Sequence, residues 1–82
     1  MKRIYEKPIE KYQYNDDYFV EFAIVTTDLE TLYEAYLQKK GYGIKMLMFS
    51  VPAKNMPLER FKDMMPVNVE LNIDLYEKLY AD

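Results

Sequence analysis

The chain has no cysteine, no histidine and no tryptophan, and Ser50 is its only serine. Without cysteine there is no disulfide, no thiolate nucleophile and no cysteine-ligated metal site. Without histidine there is no Ser-His-Asp triad and no imidazole metal ligand. The carboxylates, amines and phenols that remain catalyse reactions only when their pKa values are strongly shifted. We therefore expect a protein that is not an enzyme and that uses no cofactor and no metal.

Long hydrophobic runs are also missing from the sequence. No segment approaches the roughly 18–20 apolar residues that span a bilayer. The basic residues near the N-terminus are not followed by the apolar stretch of a signal peptide, so we expect a cytoplasmic protein. The chain has 82 residues, of which 50% are hydrophobic. That length and composition predict a single globular α+β domain over residues 1–82 with one limited core.

Two segments in the first third of the chain predict a β-hairpin. Residues 18–25 carry apolar side chains at alternate positions, which indicates a buried strand. The cluster Asn15-Asp16-Asp17 just before it favours a turn, because these short side chains bond to their own backbone. Residues 5–14 are the expected partner strand, and Pro8 should confine that strand to a sheet edge or interrupt it.

Residues 28–40 carry the pattern of an amphipathic helix. Apolar side chains recur there at intervals of three and four, from Leu29 to Leu37. Thr27 and Glu30 have the spacing of a capping box at the start of a helix. Gly41 then fits the left-handed residue that follows many helices. The sequence therefore predicts a helix over 28–40.

The segment after this predicted helix indicates a second buried strand. Residues 42–51 are almost continuously apolar and stop at Pro52. A strand, a helix and a strand in succession favour a right-handed parallel crossover. We therefore expect the strands 18–25 and 42–51 to be parallel neighbours.

The C-terminal third leaves two interpretations open. A short helix is expected over 57–65, and 67–73 alternate between apolar and polar side chains as a half-exposed strand does. The tail over 74–80 returns to helical spacing, so 67–80 could instead form one helix. In the first interpretation the fold is an α+β two-layer sandwich, with an approximately four-stranded mixed sheet and two helices on one face.

Charge is unevenly distributed along the chain, although the net charge is only −3. Residues 12–38 hold six acidic side chains and no basic one, whereas residues 39–62 hold six basic side chains and one acidic one. Charged side chains that simply face solvent explain such a distribution. An acidic face that meets a basic partner, or a basic edge that meets an anion, explains it as well.

Nine tyrosines are many for a chain of this length. Tyrosines on strands can form a rigid amphipathic patch of the kind that protein interfaces favour. Our leading hypothesis is a small non-enzymatic protein-binding module, adaptor-like or inhibitor-like, of the accessory type that phages and mobile elements carry. A second copy that pairs along the edge of the predicted strand 67–73 is one version of the partner. The candidate contact residues are Tyr12, Tyr14, Asp16, Asp17, Tyr18, Glu30 and Glu34.

The alternative hypothesis is nucleic-acid binding. Lys40-Gly41-Tyr42-Gly43 resembles the opening of the RNP1 motif of RNA-recognition domains. Ile44 and Leu47 stand where that motif has later aromatic residues, so the usual platform for base stacking is missing. The resemblance implies RNA contact through a basic segment. The candidate residues are Lys39, Lys40, Tyr42, Lys45 and Lys54.

A catalytic hypothesis would have to use Glu21, which is the only acid in the predicted strand 18–25. The sequence favours a simpler role for Glu21, as the ion-pair partner of Lys45 on the neighbouring predicted strand.

Overall fold

A computed structural model describes the backbone of residues 3–80 and the side chains of residues 7–64 and 68–79. Up to Pro52 the chain forms one antiparallel sheet in which each strand is hydrogen-bonded to the next strand along the sequence. The strands are β1 Arg3–Gln13, β2 Tyr18–Thr27, β3 Thr31–Lys39 and β4 Lys45–Pro52. A single 3-10 turn follows at Ala53–Asn55, and the helices are α1 Leu58–Asp63 and α2 Met65–Tyr80.

The predicted N-terminal hairpin is confirmed. Strands β1 and β2 are antiparallel, with Tyr12 opposite Val20. Pro8 lies in β1, which is an edge strand, and the register shifts between Pro8 and Glu10. Proline cannot donate to a ladder of backbone hydrogen bonds, so an edge strand with an irregularity is where it is tolerated.

The predicted helix over 28–40 is wrong, because this segment forms the turn after β2 and then strand β3. The Thr27 hydroxyl accepts hydrogen bonds from the backbone N–H groups of Leu29 and Glu30, at 3.1 Å each, as it would at a helix start. The backbone N–H of Thr27, however, donates to the carbonyl oxygen of Glu30 at 2.9 Å and closes a hairpin turn. The two bonds to the Thr27 hydroxyl therefore occur both at a helix start and in this hairpin turn, and they do not distinguish the two structures.

The helical spacing in this segment has a structural cause. Strand β3 lies between β2 and β4 and is buried on both faces. Leu32 and Tyr36 are buried on one face, and Ala35 and Leu37 on the other. A central strand with apolar residues on both faces therefore contains apolar side chains three and four positions apart, as an amphipathic helix does. The sheet is antiparallel throughout, so the expected mixed sheet and the parallel crossover are wrong as well.

The C-terminal third resolves in favour of one helix. The predicted strand 67–73 is wrong, and α2 covers that segment and the tail. Val69 and Tyr76 of α2 are buried, whereas Leu71 is exposed. The apolar residues that alternate in the sequence therefore lie on different sides of the helix. The predicted helix over 57–65 is confirmed as the shorter α1, which begins directly after Pro57.

The α+β fold has its core on the face of the sheet that the helices cover. Phe61 of α1 is completely buried there, and its ring centroid lies 5.7 Å from that of Phe22, 5.6 Å from that of Tyr33 and 5.8 Å from that of Phe49. The core of buried residues comprises Tyr18, Val20, Phe22, Ala35, Leu37, Met46, Phe61, Val69 and Tyr76. Large aromatic side chains thus supply much of the buried area that a chain of this size can assemble.

A candidate protein-contact site at one end of the sheet

Two connections of the sheet lie side by side at one end of the molecule. In an antiparallel meander the β1–β2 turn and the β3–β4 loop are at the same end, and the backbone N–H of Lys40 donates to the carbonyl oxygen of Asp17 at 2.7 Å. The C-terminal half of α2 reaches the same place through Tyr76 and Glu77. We call this region, formed by residues 14–18, residues 39–44, Tyr76 and Glu77, the tyrosine end.

The β1–β2 turn forms as its sequence predicts. The side-chain oxygen of Asn15 accepts from the backbone N–H groups of Asp17, at 2.8 Å, and of Tyr18, at 3.0 Å. The backbone N–H of Tyr14 donates to the carbonyl oxygen of Tyr18 at 2.9 Å. With its backbone groups satisfied in this way, the turn presents Tyr14, Asp16 and Asp17 to solvent.

The β3–β4 loop is shaped by two glycines. Gly41 has φ +86° and Gly43 has φ +68°, a left-handed conformation that side chains with a Cβ disfavour. Tyr42 lies between them, and its backbone N–H donates to the carbonyl oxygen of Lys39 at 3.1 Å. This geometry leaves the Tyr42 side chain 39% exposed.

Lys39 is the charged centre of the tyrosine end. Its Nζ lies 4.8 Å from the ring centroid of Tyr42 and 5.9 Å from that of Tyr18, within the range of cation–π attraction. The same atom lies 3.5 Å from Oε2 of Glu77. Partial loss of water lowers the pKa of Lys39, but the Glu77 carboxylate and the two phenols outweigh that effect, and the pKa is raised overall.

Tyr76 supports this surface from beneath. Its side chain is buried, and its hydroxyl donates to the carbonyl oxygen of Ile44 at 3.3 Å. Its ring meets the Tyr18 ring edge-on, with 5.8 Å between centroids, and lies 6.5 Å from the Tyr42 ring. The exposed Tyr42 ring therefore rests on a fixed support of aromatic side chains.

Tyr18 is the buried member of the group, at 3% exposure. Burial raises the pKa of its phenol, and the neighbouring Glu77 carboxylate raises it further. No atom of the described residues forms a hydrogen bond of ordinary length and angle with the Tyr18 hydroxyl. Tyr18 thus supports the site and does not form part of its surface.

Tyr12 lies outside the tyrosine end. It is half-buried on β1, and its ring centroid lies 5.9 Å from that of Phe22 in the core. Burial raises the pKa of Tyr12, and the nearby Tyr14 adds to this.

The two remaining acidic candidates are also elsewhere. Glu30 lies in the β2–β3 turn at the opposite end of the sheet. Glu34 is in β3 on the face opposite the core residues Ala35 and Leu37, where it is only 2% exposed and accepts a hydrogen bond from the Tyr36 hydroxyl. The structure therefore brings together Tyr14, Asp16, Asp17 and Tyr18, and it separates Tyr12, Glu30 and Glu34 from them.

The basic candidates are divided in a similar way. Lys39, Lys40 and Tyr42 lie at the tyrosine end, whereas Lys54 lies in the 3-10 turn beyond the far end of β4. Lys45 begins β4, and its Nζ lies 2.5 Å from Oε1 of Glu21.

The expected pair between Glu21 and Lys45 is therefore present, but its expected placement on neighbouring strands is wrong. Strand β3 separates β2 from β4, so Lys45 reaches across it.

Tyr76 and Glu77 belong to the tyrosine end, but the sequence did not predict either as a contact residue. A strand over 67–73 would not carry the chain to the β3–β4 loop, whereas the helix α2 does. The helical spacing of 74–80 was the available signal, because it would have continued one helix toward the β3–β4 loop.

The tyrosine end is an open surface. Among the described residues no three acidic side chains come close enough to hold a metal ion, and no pocket opens between the elements of this part of the chain. An exposed aromatic ring with charges around it is suited to contact with another macromolecule.

Within residues 3–80, no helix is both long and apolar enough to cross a membrane.

No protein-family model matches the chain, and no curated protein or solved structure shows significant similarity to it.

Proposed function

We propose that this chain is a small non-enzymatic protein-binding module and that the tyrosine end is its contact surface. The observation that carries the proposal is the position of Tyr42, which is exposed and yet held by the Lys39 ammonium and the Tyr76 ring. Binding a partner orders flexible side chains at a cost in entropy. An aromatic ring that is already fixed avoids much of that cost, and tyrosine is favoured at interfaces for this reason.

Charges of both signs surround the exposed rings. Asp16, Asp17 and Lys40 are exposed next to Tyr14, which is itself 37% exposed, and Tyr42. An aromatic centre with a polar rim is the usual anatomy of a protein interface. Rim charges orient a partner and raise its association rate more than they raise affinity. We assign the module an adaptor-like or inhibitor-like accessory role in the cytoplasm.

Nucleic-acid binding is the weaker alternative. Phosphate contact requires free cations, and the affinity that it supplies falls steeply with salt. Lys39 is already paired with Glu77, and Lys45 with Glu21. Lys40 and Lys54 remain exposed, at opposite ends of the sheet.

The experiment is a comparative pull-down from lysate of the native host, read by quantitative mass spectrometry. The baits are the wild-type chain, the double variant Tyr14→Ser/Tyr42→Ser and the control Leu29→Ser. Leu29 is an exposed apolar residue in the turn at the opposite end, so the control removes apolar surface without touching the site.

We expect a protein that the wild type and Leu29→Ser retain equally and that the double variant loses by about tenfold or more, as interface hot spots do. A set of proteins retained equally by all three baits would overturn the proposal, and so would retention no greater than that of bare resin. A labelled single strand that binds at about 50 mM salt and is lost in Lys40→Ala would favour the alternative.

A further inference from the structure

Helix α2 carries a second exposed apolar feature, separate from the tyrosine end. Leu71, Leu75 and Leu79 recur at every fourth position and are 72%, 47% and 60% exposed. Residues four apart lie on the same side of a helix, so the three form one row. Val69 and Tyr76 of the same helix are buried against the sheet. We call Leu71, Leu75 and Leu79 the leucine row.

A row of charges runs beside the leucine row. Each leucine directly follows a charged residue, and these residues are Glu70, Asp74 and Lys78. All three are exposed, and Lys78 forms an ion pair with Asp74 one turn earlier, at 3.4 Å. We call Glu70, Asp74 and Lys78 the charge row. From its N-terminal to its C-terminal residue, the signs are negative, negative and positive.

We propose that the leucine row binds the leucine row of a second copy of this chain, with the two helices antiparallel. The charge row is self-complementary only in that orientation. Antiparallel contact places Lys78 beside Glu70 of the partner subunit, and the symmetry repeats this pair. In a parallel two-fold pair the two charge rows would lie on opposite sides of the contact, so the pair between Lys78 and Glu70 of the partner subunit could not form.

The apolar row fits the same arrangement. A two-fold axis between positions 74 and 75 brings Leu71 near Leu79 of the partner subunit, and Leu75 near its own symmetry copy. Two-fold dimers are the commonest protein oligomers, and the same patch then serves both subunits. One like-charge pair remains, between the two copies of Asp74, which are exposed and each beside a Lys78 ammonium.

The contact is small, because it involves six leucines and their neighbours. A patch of this size belongs with weak and transient interfaces. The dimer is therefore weak and forms only at high protein concentration. It uses a surface other than the tyrosine end, so each of the two proposals can hold without the other.

The test is sedimentation velocity on the whole chain from about 10 µM to about 1 mM, a range that covers weak dissociation constants. The wild type shows a reversible shift from monomer to dimer. Leu75→Asp abolishes the shift, and the control Leu29→Ser leaves it unchanged. Glu70→Lys and Lys78→Glu each weaken dimerisation by about tenfold, because each places two like-charge pairs across the axis.

The double variant Glu70→Lys/Lys78→Glu restores dimerisation, because its charge row is again self-complementary. An equimolar mixture of Glu70→Lys and Lys78→Glu also dimerises, since each supplies the charges that the other lacks. A wild type that stays monomeric at the highest concentration overturns the inference. So does a dimer that is indifferent to the charge variants, because its orientation is then not the one proposed. Far-UV circular dichroism of each variant verifies that these exposed substitutions leave the fold intact.

Discussion

Lys39 and Glu77 lie 38 positions apart in the chain and meet at 3.5 Å, Nζ to Oε2. This pair joins the end of β3 to the C-terminal half of α2. It also places the Lys39 ammonium over the Tyr42 ring. The geometry of the exposed tyrosine thus depends on a contact between two distant parts of the sequence.

The first prediction concerns the two partners of this ion pair. Lys39→Met removes the ion pair and the cation–π contact, whereas Glu77→Gln removes only the charge of the carboxylate. Both effects are small because exposed ion pairs contribute little. We expect Lys39→Met to lower the urea midpoint of unfolding more than Glu77→Gln does. Lys40→Met is the matched control and should not change it. An equal or larger effect of Glu77→Gln would contradict this account of Tyr42.

The second prediction concerns the aromatic centre of the core. Phe61 is completely buried and contacts Phe22, Tyr33 and Phe49. Phe61→Ala leaves a cavity among these rings and should lower the free energy of unfolding by about 3–5 kcal/mol. Leu71→Ala, on the exposed side of α2, should change it by less than about 0.5 kcal/mol. Urea titration followed by circular dichroism measures both, and similar losses would show that Phe61 is not central to the core.

The third prediction follows from the raised pKa of Tyr18. Burial and Glu77 disfavour the phenolate in the folded chain, so unfolding favours loss of the proton. The resulting stability is fully present below the ordinary tyrosine pKa of about 10 and is lost as the pH rises through the folded pKa. Tyr18→Phe should therefore make the fall in stability above about pH 10 less steep. Thermal melts of the two chains across this pH range test it, and identical pH profiles would refute it.

The fourth prediction concerns Thr27, whose hydroxyl accepts two backbone N–H groups in the β2–β3 turn. Thr27→Val keeps the shape of the side chain and leaves those donors without this acceptor, at a cost of about 1–3 kcal/mol. Thr27→Ser retains the hydroxyl and should cost less. The exposed Thr31→Val is a control for the loss of a hydroxyl in the same hairpin. Urea unfolding ranks the three, and a Thr27→Val variant as stable as Thr31→Val would contradict the role of this turn.

Local sequence signals predicted those parts of the fold that local interactions determine. The Asn15 turn, the β1–β2 hairpin and α1 depend on residues close together in the chain. Strand β3 was predicted as a helix, because the Thr27 bonds suit a helix and a turn equally. Only the pairing of β3 with β2 on one side and β4 on the other decides between them. That pairing is made with residues outside 28–40 on both sides, so the pattern of this segment alone gave no sign of it.

The sequence likewise predicted some residues of the candidate site but not how they come together. Tyr14 was predicted as one of the strand tyrosines, and Asp16 and Asp17 as part of the acidic segment 12–38. Their proximity to Tyr42 was not, since it requires β3 to be a strand that returns the chain to the same end of the sheet. The leucine row was not predicted for a related reason. A strand over 67–73 places Leu71 on the same face as Val69, whereas in the helix α2 the two lie on different sides.

The most direct test of the central claim is hydrogen exchange of the chain alone and with its captured protein partner, read by mass spectrometry. We predict slower exchange of the backbone amides over 14–17 and 40–44, and unchanged exchange over the β2–β3 turn around Leu29. Slower exchange confined to that turn, with none at the tyrosine end, would contradict the proposed contact surface.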